Sequence, residues 1–292
     1  MMGNRSGRGA MTGISRREVL LGGSALLLLA GCGGPSIPRP TASPSGAIRA
    51  QLDEVITTIA AGSDKLGVAL HDLRTNETYG FNPGYASQSA SIAKPMIVLM
   101  AQRRAHATGT DLTAEQQEQI TNAITRSDND AADALWAYAG AAPAYGELAA
   151  ELGMADTHPD ENRSESWSWT WTTPSDQTRL LQSLTEGSPA VTDRERMRLW
   201  ELMGQVVDDQ AWGVGAPRSS EVAVHLKNGW VQFQSSDGLW AVNSVGQVTG
   251  AGRDYRLAIM TRTPDFDTGR AICDEIGKWV FDILGSGPVE PG

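Results

Sequence analysis

The sequence predicts an α/β chain of the α+β kind: a five-stranded antiparallel sheet flanked by helices, with an all-helical lobe. Three observations carry this. Strand-like runs fall in two groups, a hairpin near residue 70 and three runs after residue 220. Between the groups the apolar residues recur at helical spacing. The helices that open and close the domain each have one apolar face, which suits packing on one face of a sheet, leaving the other face for the central helices.

Taken in order, Ile48, Leu52, Val55, Ile56 and Ile59 mark an opening helix. Residues 66–73 and 78–81 read as strands around a Thr75-Asn76-Glu77 turn. Helical patterns dominate from Ser91 to Leu152, with breaks near Gly109 and at Gly140 to Pro143. Thr173-Pro174 starts a further helix, with proline where its missing N–H costs nothing. Asp193 and Glu195 begin another, at the end where the dipole favours acids. Val222, Val224 and Leu226 alternate in one strand; residues 240–245 and 255–261 form two more. Ile272, Ile276, Trp279, Val280 and Ile283 close the domain as an amphipathic helix.

The 292 residues carry 24 basic and 34 acidic side chains, a net charge of −10. A binder of nucleic acid needs a basic face to neutralise phosphates, so that partner is excluded. Two cysteines, Cys32 and Cys273, are too few for a disulfide scaffold. The apolar run 19–30 is too short to span a bilayer, which takes about 20 residues, and follows Arg5, Arg8, Arg16 and Arg17. It reads as a signal peptide, residues 1–31. Residues 15–20 resemble a twin-arginine export signal, and Leu29-Ala30-Gly31-Cys32 resembles a lipobox, in which Cys32 is diacylated. Two acyl chains would anchor the protein stably on the outer face of the cytoplasmic membrane, in the cell envelope. Residues 32–46 are the lipidated cysteine and a Pro/Ser/Gly linker, 47–286 the folded domain and 287–292 a tail.

Three strings carry chemistry: Ser91-Ile92-Ala93-Lys94, Ser127-Asp128-Asn129 and Lys227-Asn228-Gly229. A serine hydroxyl is a weak nucleophile and needs a base within reach. Spacing i, i+3 on a helix puts Lys94 on the face of Ser91. At an ordinary pKa of about 10.4 that lysine is protonated; desolvation and a second cation, for which Lys227 is the candidate, would make it a base. Ser91 at a helix N-terminus offers a free backbone N–H, half of an oxyanion hole.

In this order the strings resemble the S-x-x-K, S-D-N and K-T-G motifs of class A β-lactamases and penicillin-binding proteins. The resemblance covers roughly residues 48–285. It implies a serine hydrolase that forms an acyl-enzyme on Ser91 with β-lactams or with D-Ala-D-Ala peptides of the peptidoglycan stem. Lys94 is then the base and Ser127 the proton relay to the leaving nitrogen. Asn129, Lys227, Asn228, Gly229 and Trp230 hold the substrate, and the Trp230 N–H completes the oxyanion hole. A monomer with no metal or organic cofactor is expected.

The chain departs from the family pattern in three places. The interval from Ser91 to Ser127 is shorter. Asn228 stands where the family has Thr or Ser. The segment 154–172 lacks E-x-x-L-N, whose glutamate activates the deacylating water; Glu161 and Glu165 are the candidate replacements. The same segment carries Trp167, Trp169 and Trp171, either a sugar platform or packing for a shortened loop. A Ser-His-Asp hydrolase is disfavoured because there is no G-x-S-x-G elbow, and a zinc site because there is no H-E-x-x-H. The alternative from another class is a non-catalytic envelope lipoprotein that keeps the fold as a binding module.

Overall fold

The computed structural model of the protein describes residues 46–63, 65–233 and 238–285. The signal peptide with its twin-arginine string, Cys32, the linker up to residue 45 and the tail 287–292 lie outside those residues. Along the described chain run α1 (Gly46–Ala60), β1 (Lys65–Asp72), β2 (Glu77–Phe81), β3 (Ser87–Gln88), α2 (Lys94–Ala107), α3 (Ala114–Thr125), α4 (Asn129–Ala139) and α5 (Ala141–Glu151). Then follow β4 (Trp171–Thr172), α6 (Pro174–Glu186), α7 (Asp193–Met203), β5 (Val222–Gln232), β6 (Trp240–Gly250), β7 (Arg253–Thr263) and α8 (Phe266–Gly285).

The main sheet has the order β2-β1-β7-β6-β5, with every pairing antiparallel. The α+β class and the five-stranded sheet are as the sequence predicts. The last three strands outrun their expected lengths. β7 is buried at nearly every position, because helices cover both its faces. A strand enclosed on two faces loses its polar alternation, so period-2 reading stops early.

Two apolar cores result. On one face Leu52 and Ile56 of α1 and Ile276 and Val280 of α8 pack against Val68, Leu257 and Ile259. On the other, the lobe gathers Met96, Leu99, Ile124, Leu135, Leu148 and Leu199. Each such side chain, fully buried, contributes about 1.5–3 kcal/mol before entropy is subtracted. α2 runs through the lobe, and from Lys94 to Ala101 every residue is buried. That burial on all sides is why its apolar run shows no face in sequence.

The helix ends are fixed by local chemistry. Thr113 and Gln116 form a reciprocal capping box on α3, and Thr192 with Glu195 does the same for α7. Asp128 caps α4, accepting from Ala131 N at 2.8 Å. Gly140 ends α4 at φ 105°, a left-handed turn that glycine takes without a Cβ penalty.

Candidate active site

Ser91 sits on a short 3-10 turn, Ala90–Ala93, that runs directly into α2. The preceding residue, Ala90, has φ 48°. A non-glycine residue held there costs on the order of 1–3 kcal/mol, so its surroundings must impose it. They do so from two sides. Ser89 N donates to Thr170 O at 2.7 Å. Asn243 Nδ2, from β6, donates to Gln88 O at 2.9 Å and Ser89 O at 3.2 Å. Ser91 keeps 9 % of its surface exposed, at the floor of a cleft.

Lys94 lies one turn on and is fully buried. Its Nζ donates to Ser127 O at 2.5 Å and to Asn129 Oδ1 at 2.8 Å, and stands 3.3 Å from Ser127 Oγ. Burial lowers its pKa to about 7, against the opposing pull of Asp128 and Asp133. The desolvation expected from sequence is the main cause of that lowering. Lys227 is likewise held well below the ordinary lysine value, first by burial and then by the like charge of Lys94, a repulsion that the two amines share. Near neutrality a large share of Lys94 is unprotonated, the state a general base requires.

Ser127 joins the two lysines. Lys227 Nζ donates to Ser127 Oγ at 2.9 Å and to Asn228 O at 2.8 Å. A hydroxyl that accepts from Lys227 still has its own proton to pass on. Ser127 is itself strained, at φ 59°. The Asp128 cap that starts α4 turns the chain there and presents Asn129 to Lys94.

The strand string divides by the alternation of β5. Gly229 is packed against the nucleophile's turn: a Cβ there would lie 2.6 Å from Ser91 N and 2.7 Å from Ile92 N. Only glycine permits that approach. Trp230, next in the strand, lines the cleft with Ser91, so the two backbone N–H groups expected for an oxyanion hole belong to neighbouring lining residues. Asn228 does not act as expected. It is 1 % exposed, and its Nδ2 donates to Gln210 O at 2.8 Å and Trp212 O at 3.0 Å. Both amide hydrogens are taken by backbone carbonyls, leaving no donor for a substrate carboxylate. Asn228 instead ties β5 to the segment that carries Gln210, which itself lines the cleft.

The cleft measures about 460 Å³. Neither Glu161 nor Glu165 lines it; both are exposed on the α5–α6 loop. That loop is held from behind by buried Asp176, which accepts from Asp156 N and Thr157 Oγ1, each at 2.8 Å. The tryptophans do not share a face. Trp167 is buried with its ring 4.8 Å from Lys94 Nζ. Trp169 meets Phe233 edge-on at 6.0 Å, and Trp171 Nε1 donates to Asp160 at 3.1 Å. Trp169 and Trp171 are packing elements, whereas Trp167 also lines the cleft. The carboxylate that does line the cleft, Asp133 of α4, went unmarked in the sequence reading. Its signal was its place four residues beyond Asn129, on the same helix face. A larger hollow, about 980 Å³, lies by His106, Asp111 and Glu195 and contains none of the motif residues.

Residues 108–284 match the model of the beta-lactamase enzyme family. The chain belongs to that family. The match contains the Ser127 and Lys227 strings; Ser91 and Lys94 precede it. No curated protein sequence matches. Among solved structures, the fold of this β-lactamase-family chain is similar to a class A β-lactamase from Bacteroides cellulosilyticus, with TM-score 0.68 and 20 % identity over 82 % of this chain and 99 % of that one. It is similar to a β-lactamase from Sphaerobacter thermophilus, with TM-score 0.66 and 20 % identity over 82 % and 99 %. It is also similar to PBP-A, with TM-score 0.68 and 18 % identity over 83 % and 97 %. At these identities the likeness is one of fold.

Proposed function

We propose that this protein is a class A β-lactamase-like serine hydrolase that forms an acyl-enzyme on Ser91 with β-lactams or D-Ala-D-Ala-type stem peptides. The observation that carries the reading is the Lys227–Ser127–Lys94 chain of contacts at 2.9 and 3.3 Å beside the Ser91 cleft. In this scheme neutral Lys94 takes the Ser91 Oγ proton as Oγ attacks the carbonyl carbon. The oxyanion rests on the Ser91 and Trp230 N–H groups. Lys94 returns the proton through Ser127 to the leaving nitrogen, so the lysine ends neutral. Export through the 1–31 signal and diacylation of Cys32 would place the cleft in the envelope, beside peptidoglycan.

Intact-mass measurement of the purified protein with benzylpenicillin tests this. One penicilloyl adduct is expected on the wild type and none on Ser91→Ala. A wild type that gains no mass under acylating conditions would favour the non-catalytic binding module.

A further inference from the structure

Acylation has its groups in place, yet the carboxylates expected to activate water for the second half of the reaction, Glu161 and Glu165, do not line the Ser91 cleft. A rigid element supplies another. Asp133 projects from α4 one turn beyond Asn129, whose Oδ1 holds Lys94 at 2.8 Å. It is the sole carboxylate lining the Ser91 cleft among the described residues. Its Oδ1 accepts from Trp167 Nε1 at 2.6 Å, and the same indole ring faces Lys94 Nζ at 4.8 Å. Oδ2 receives no hydrogen bond from a described residue. The indole thus orients the carboxylate of this cleft-lining residue through one oxygen and leaves the other without a hydrogen bond from a described residue.

We propose that Asp133 is the general base of deacylation, with Trp167 as its positioning residue. The proposal rests on the acyl-enzyme reading above. A water oxygen attacks the acyl carbonyl carbon while its proton passes to Asp133 Oδ2. As the tetrahedral intermediate collapses, the ester bond to Ser91 Oγ breaks. The proton returns to Oγ by way of Lys94, and the product leaves as the free acid. The base therefore acts from the helix that presents Asn129, in a chain whose α5–α6 loop presents none.

Asp133→Asn keeps an acceptor for the Trp167 indole and removes the base. The full-length protein is mixed with benzylpenicillin, excess drug is removed, and the adduct is weighed over time. The variant should acylate, and its adduct should outlast that of the wild type by about 10²-fold or more, the usual worth of a general base. Hydroxylamine, a nucleophile that needs no base, should discharge the persistent adduct. Glu161→Gln and Glu165→Gln should leave the wild-type lifetime unchanged. An Asp133→Asn adduct that decays at the wild-type rate would overturn the proposal, as would a wild-type adduct equally long-lived. Failure of hydroxylamine to discharge the adduct would also overturn it, by showing blocked access. Absence of any adduct on the wild type is a different result and would overturn the acyl-enzyme reading itself.

Discussion

Lys94→Arg is expected to slow acylation of Ser91 by at least about 10²–10⁴-fold, the range associated with a positioned general base. The reason is chemical: a guanidinium does not give up its proton in a protein, whereas burial brings the Lys94 amine to a pKa of about 7. The chain fills twenty of its 24 basic positions with arginine, yet two of its four lysines, Lys94 and Lys227, are buried where both reach Ser127 of the cleft. Because Lys94 is fully buried, a guanidinium would also strain the lobe. Lys94→Met, of similar length and uncharged, separates the two effects. Both variants should lose acylation, while Lys94→Met keeps wild-type circular dichroism and melting within a few degrees. Acylation at the wild-type rate in either would remove Lys94 as the base.

Gly229→Ala is the second large effect. A Cβ at 2.6 Å from Ser91 N and 2.7 Å from Ile92 N has no flexible neighbour to displace, since both atoms are backbone. The strand and the nucleophile's turn must therefore separate. Loss of one oxyanion donor typically costs about 10²–10³ in rate, and overpacking about 1–3 kcal/mol in stability. We expect both, read as a fall in the acylation rate constant and in the denaturation midpoint. A variant with unchanged acylation would show that the N–H groups of Ser91 and Trp230 do not act as a pair.

The fold was largely legible in the sequence because its signals are local. The opening and closing helices show their apolar faces, the Asn76 turn separates two strands, and Thr173-Pro174 marks a helix start. The motif residues were legible for the same reason: i, i+3 spacing joins Ser91 to Lys94, and the Asp128 cap places Ser127 and Asn129. What escaped depends on long-range packing. The positive φ of Ala90 is imposed by neighbours far along the chain, among them Thr170 and Asn243. Asn228 has the chemistry to bind a carboxylate, and only the carbonyls of Gln210 and Trp212 reveal that its donors are taken. Glu161 and Glu165 were candidates by sequence segment, but the shortened loop turns them to solvent and brings Trp167 to Lys94 instead.

The central claim is that burial makes Lys94 a base at neutral pH. The direct measurement is the second-order rate constant for penicillin acylation of the wild-type protein as a function of pH, by quenched intact mass. The unprotonated amine accepts the proton, and its fraction grows with pH, so the rate should rise through a midpoint near pH 7 and level off above it. A midpoint near the ordinary lysine value of about 10.4, or a rate without a rise across neutrality, would contradict it.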